Sequence, residues 1–94
     1  MLAYWIARVT VTDPDAYARY AERVPSAIGP FSGRMLARGG RSTTLEGTDR
    51  ERTVIIEFPS FDRAVACYNS PAYQEAMDLQ KGAAIRDLCI VEGV

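Results

Sequence analysis

Ala3, Trp5, Ala7, Val9 and Val11 fall on one side of an extended chain, and Tyr4, Ile6, Arg8 and Thr10 on the other. That is the period of a strand with two partly apolar faces. Thr12-Asp13-Pro14-Asp15 then joins a capping side chain to a proline at a first helical position and an acid in the first turn, which starts a helix. Tyr17, Tyr20, Ala21, Val24 and Ile28 recur at helical spacing on one stripe. Pro25 sits late in this helix and predicts a kink or an end there. After the Gly29-Pro30 break, Gly33 to Arg38 reads as a second strand, with Arg34, Leu36 and Arg38 alternating against Met35 and Ala37. Gly39-Gly40 interrupts it and Ser42 to Glu46 is extended again. This pattern is either one strand broken by a glycine bulge, the favoured reading, or two short pieces around a turn.

The polar turn Gly47 to Glu51 leads into Arg52-Thr53-Val54-Ile55-Ile56-Glu57-Phe58, a β-branched strand ended by Pro59. Ser60 caps a helix whose Phe61, Ala64, Val65 and Tyr68 share a face. Asn69-Ser70-Pro71 repeats the cap-then-proline device, so the second helical region divides in two, and Tyr73, Ala76 and Met77 form the apolar side of its second piece. Gly82 closes it, and a last strand surrounds Leu88 to Glu92. The order β-α-β-β-α-β defines an α+β, ferredoxin-like arrangement, a four-stranded antiparallel sheet with helices on one face.

A solvated second face would show clean alternation of apolar and polar residues. Instead Tyr4 and Ile6 lie opposite Trp5 and Ala7, Ile55 opposite Val54 and Ile56, and Leu88 and Ile90 opposite Cys89 and Val91. Left bare, such a face exceeds the few hundred Å² of apolar patch that monomers expose. The expected cover is a second copy of the sheet, giving a homodimer.

Ninety-four residues make a single domain spanning 1–94. The basic residues are scattered among twelve acids, with a net charge of -1, so no nucleic-acid footprint is present. Arg8 interrupts the apolar N-terminus too early for a signal peptide or a membrane span. Two cysteines are too few for a disulfide framework, which points to the cytoplasm. Histidine is absent. Its absence removes Ser-His-Asp and Cys-His mechanisms, histidine-ligated haem and histidine-containing zinc sites. Arg38-Gly39-Gly40-Arg41 lacks the strand-to-helix setting of a nucleotide loop, and no cofactor is expected.

Tyr4-Trp5-Ile6-Ala7-Arg8-Val9, Thr12-Asp13-Pro14, Gly33-Arg34, Arg38-Gly39-Gly40, Leu45-Glu46-Gly47, Val54 to Ser60, Ser70-Pro71-Ala72-Tyr73 and Glu92-Gly93 together resemble the small bacterial proteins of domain-of-unknown-function family 1330. The resemblance runs end to end. It implies the dimeric α+β barrel superfamily, in which two ferredoxin-like sheets face each other around a cavity, and it brings no established activity. Superfamily relatives include cofactor-free quinone-forming monooxygenases, muconolactone isomerases and haem-dependent chlorite dismutase-like enzymes. This chain lacks the histidine that the haem-binding relatives use.

Strand parity places Tyr4, Ile6, Arg8, Thr10, Leu36, Arg38, Ile55, Glu57, Leu88, Ile90 and Glu92 toward the partner. Three readings of its charges stand. Arg8 or Arg38 pairs with Glu57 and fixes the dimer's register; or Arg8, Arg38 and Glu92 line a small-molecule pocket in which an arginine holds a carboxylate or enolate and Glu57 is a catalytic base; or the side chains reach solvent. Tyr68 and Ser70, where the second helical region breaks, are candidates for a cavity mouth. The tyrosine stripe otherwise reads as core. The expected function is binding of a small acidic or aromatic metabolite in a barrel cavity, with cofactor-independent proton-transfer or oxygenation chemistry as its enzymatic form. The alternative is a non-catalytic dimer with a solid interface.

Overall fold

The computed structural model describes all residues from Met1 to Val94. Four strands, β1 (Ala3–Val11), β2 (Arg34–Arg38), β3 (Arg52–Phe58) and β4 (Ala84–Glu92), form one sheet in the order β2-β3-β1-β4 with every neighbouring pair antiparallel. Three helices, α1 (Pro14–Ile28), α2 (Phe61–Tyr68) and α3 (Pro71–Leu79), pack on one face. Each begins at the side chain that the sequence supplies for it. The Asp13 carboxylate accepts from Ala16 N–H, Ser60 Oγ from Arg63 N–H, and Ser70 Oγ from Tyr73 N–H. These caps satisfy backbone donors that a helix start leaves unpaired. Pro25 does not end α1, which continues to Ile28 and closes with Gly29 N–H donating to the Pro25 carbonyl.

The core lies between sheet and helices. Ala3, Trp5, Ala7 and Val9 of β1 are buried there with Ile56 and Phe58 of β3, Tyr17, Tyr20, Val24 and Ile28 of α1, and Tyr73 of α3. Trp5 anchors it. Its ring lies 5.0 Å from that of Phe58 and 4.8 Å from that of Tyr73, and its indole N–H donates to the Ala64 carbonyl at 3.0 Å. The large apolar area and the satisfied N–H make this the costliest side chain to remove.

Two registers differ from the parity reading. In β2 the pairing shifts between Met35 and Ala37, so the irregularity falls at Leu36 rather than at the glycines. Ala37 pairs with Ile55 and Arg38 with Val54, which turns Arg38 to the helix-covered face. Beyond it the segment 39–51 forms no strand, against the expected continuation through Ser42 to Glu46. The chain turns away at Gly39, whose φ is +71°, a conformation suited to glycine. In β4, Leu88 pairs with Ala7 and Ile90 with Trp5, so both face the helices, and Glu92 follows the same parity opposite Ala3. The open face of β4 instead carries Ile85, Asp87, Cys89 and Val91. The backbone N–H groups of Thr12 and Asp13 both donate to the Ala83 carbonyl, at 2.8 and 3.0 Å, at the end where β4 enters its ladder with β1.

Candidate functional site

On the helix-covered face, Val9 of β1 pairs with Arg52 of β3 on one side and Arg86 of β4 on the other. Two arginines therefore share a rung with an apolar residue between them. Arg38 stands one rung along, in the Val54, Ala7 and Leu88 row. Helix α1 lies above and contributes Tyr17, Tyr20, Ala21 and Val24. Between them is a cleft, mostly apolar, floored by Trp5, Ala7, Val54, Ile56 and Leu88, with Met35 and the three arginines completing its wall. Out to its mouth the hollow measures about 440 Å³, but the centre of a water-sized sphere has only about 30 Å³ to occupy. The smaller figure decides what fits without movement, and it corresponds to roughly two waters. A ring-sized molecule requires the exposed Arg38 side chain to swing aside.

The Arg52 and Arg86 guanidiniums are held by aromatic groups rather than by acids. Arg52 Cζ lies 5.4 Å from the Tyr17 ring centroid and Arg86 Cζ 5.0 Å from that of Tyr20, with the two rings 5.3 Å apart. Arg86 Nη2 donates to both the Tyr20 and Tyr73 hydroxyls at 3.1 Å, and those oxygens are 2.8 Å apart. One hydroxyl hydrogen bridges the two oxygens. Tyr20 is the member of the pair that lines the cleft. Burial, reinforced by Tyr73 and only partly opposed by Arg86, pushes the Tyr20 hydroxyl far above its ordinary range. It therefore stays protonated and does not act as a base. Burial alone would lower Arg86, yet its contacts with Tyr20 and Tyr73 outweigh this, and its pKa is raised.

No acid lines the cleft. The Nε atoms of Arg52 and Arg86 are buried without an acceptor, and leaving such a donor unmet costs about 1–3 kcal/mol. Gly39 packs beside the same group, and a Cβ there would press on the Arg52 guanidinium. The site can stabilise negative charge and bind a planar apolar body; it contains no side chain able to take a proton at neutral pH.

Of the sequence candidates, only Arg38 lies in this cleft. Glu57 is half-buried on the opposite face, between Tyr4 of β1 and Arg34 of β2, so Arg38 and Glu57 cannot share a wall. Neither Arg8 nor Arg38 pairs with it. Arg8, also on the open face, donates to Thr44 Oγ1 at 2.8 Å and to the Thr48 carbonyl at 3.2 Å, tying down the 39–51 segment. Ser70 is buried, and its hydroxyl serves two helix ends by accepting from Tyr73 N–H and donating to the Cys67 carbonyl at 2.7 Å. Tyr68 donates to Met77 Sδ at 3.6 Å. Glu92 is exposed at the end of β4. Arg52 and Arg86 escaped the sequence reading, although Arg52 is in phase with Val54, Ile56 and Phe58, and Arg86 with Leu88 and Ile90. A charge in phase with a buried stripe is the signal, usable once the buried face of each strand is known.

Sheet order, one-sided helices and a cationic cleft define a ferredoxin-like α+β protein with an open second sheet face. The chain belongs to the domain of unknown function family DUF1330, whose model matches residues 2–94. Among solved structures, it is similar to a protein of unknown function from Rhodopseudomonas palustris, at 19% identity and a TM-score of 0.79 over 99% of this chain and 82% of that one. A dimeric ferredoxin-like protein of unknown function from Thermobifida fusca matches at 14% identity and a TM-score of 0.68, over 99% and 92%. SnoaB, a cofactor-independent oxygenase from Streptomyces nogalater, matches at 12% identity and a TM-score of 0.66, over 99% and 93%. No curated protein matches the sequence. No helix is long and apolar enough to cross a membrane.

Proposed function

We propose that this protein binds a small, partly aromatic organic acid in the cleft between α1 and the sheet, as a homodimer joined through its open sheet face. The observation that carries the reading is the set of three guanidiniums around an apolar hollow with no carboxylate to neutralise them. A bound anion meets the guanidiniums, while the rings and aliphatic floor take its body. The dimeric relatives support self-association, and the half-buried apolar residues Tyr4, Ile6 and Ile55 support the face. Free Cys67 and Cys89 support a reducing compartment.

The resemblance of fold to a cofactor-independent oxygenase favours a catalytic form of the same reading. With no base in the cleft, the substrate would be one that ionises unaided and whose anion the arginines hold. The competing reading is a cleft that stays closed, with the protein serving as an interaction module. Thermal unfolding with benzoate and with its neutral analogue benzamide separates the two. Benzoate is expected to raise the midpoint, less so at high salt, benzamide to leave it in place, and Arg86→Met to abolish the rise. Equal responses to both compounds would leave the anion cleft without support.

A further inference from the structure

We infer that the ligand of this cleft carries two anionic groups at the ends of a short apolar frame, one met by Arg38 and Arg52 and the other by Arg86 with Tyr20. This rests on the anion-binding reading above and sharpens it to a charge class. Arg52 and Arg86 project on the same face from strands on opposite sides of β1, so their Cα atoms are two strand spacings apart, roughly 10 Å. Each guanidinium is parked on a different ring of α1, Arg52 on Tyr17 and Arg86 on Tyr20. In each, the Nε–H, on the nitrogen nearest its own strand, is buried without an acceptor. One carboxylate cannot meet both inner nitrogens while the two guanidiniums keep their separate places.

The poles are also unlike. Arg86 is fixed by two hydroxyls at 3.1 Å, a preformed donor set with Tyr20 beside it. Arg52 makes no charge pair, and exposed Arg38 lies on its side of the sheet, opposite Val54. Val9, Ala7 and Val54 lie between the poles with no polar side chain among them. A monoanion leaves one pole uncompensated; a dicarboxylate, or a carboxylate paired with an acidic phenol or enol, answers both.

The probes are benzoate and isophthalate, which place one and two carboxylates on the same ring, titrated calorimetrically at fixed ionic strength into the parent, Arg52→Met and Arg86→Met, each checked for folding by circular dichroism. Isophthalate is expected to bind about tenfold or more tighter than benzoate, a difference of about 1.4 kcal/mol or more. Arg52→Met should collapse that preference toward unity, and Arg86→Met should weaken both. Arg38→Met, which alters an exposed side chain at the Arg52 pole, repeats the test if Arg52→Met does not fold, with the same reduction in preference expected. Equal affinities in the parent, or an undiminished isophthalate preference in Arg52→Met, would overturn the two-pole inference while leaving a single-anion cleft standing. Failure of both probes to bind the parent would overturn the cleft reading itself.

Discussion

The two faces of the sheet both carry charged residues and treat them in opposite ways. On the open face, Arg8 is held by Thr44 and Thr48, Arg50 pairs with Asp87 at 3.1 Å and reaches Thr10, and the Glu51 carboxylate accepts from Val11 N–H. Arg34 and Glu57, directly across from each other, are the exception and form no ion pair. On the helix-covered face, Arg52 and Arg86 meet only rings and hydroxyls, their two inner nitrogens have no acceptor, and Arg38 makes no ion pair. Charges already satisfied within a chain suit a surface that docks against another protein, because they do not have to be paired anew when water leaves. Charges of one sign, left unsatisfied at a cleft, are what a small anion can answer.

The contrast is sharpest for large side chains. Trp5→Ala removes the ring on which the covered face is built, and urea unfolding should show a loss of about 3–5 kcal/mol; a loss below about 1 kcal/mol would mean that this face is not the principal core. Ile55→Asp tests the other face, where Ile55 lies between Ile6 and Ala37. Sedimentation should show dimer dissociation rising at least about a hundredfold, each tenfold being about 1.4 kcal/mol, with helix content retained. A dimer of unaltered affinity would place the interface elsewhere.

Titration gives a subtler difference. Burial pushes the Cys67 thiol up to about 11, above its value of about 8.5 in an unfolded chain. The folded state thus keeps a proton that the unfolded chain releases, so this contribution is complete below about pH 8.5 and is lost as pH rises toward 11, by at most about 1.4 kcal/mol per unit. Cys67→Ala should fall less in stability than the parent between pH 8 and 11, and parallel profiles would show that the thiol is not shielded as its burial implies. Exposed Cys89, on the open face, provides the comparison. The smallest effect belongs to Glu57→Gln. With its carboxylate half-buried and making no ion pair, the change should cost less than about 1 kcal/mol, and calorimetry should find the same benzoate affinity. A tenfold loss of that affinity would mean that the cleft and the open face are coupled through β3.

Residues near one another in sequence determined the elements of this protein. Asp13, Ser60 and Ser70 start its helices because a cap acts on an N–H three residues away, and Ser70-Pro71 divides the second helical region because proline constrains only its immediate neighbour. The β-branched run of β3 and the apolar stripe of α1 were equally legible. Tertiary structure decided which way each strand's side chains point. A shift of one residue transfers every side chain to the other face, and pairing with distant strands fixes the outcome: the irregularity at Leu36 turns Arg38 toward the helices, and the ladder with β1 turns Leu88 and Ile90 the same way. Arg52 and Arg86, 34 residues apart in the chain, flank Val9 because β1 lies between their strands, and no local pattern encodes that adjacency.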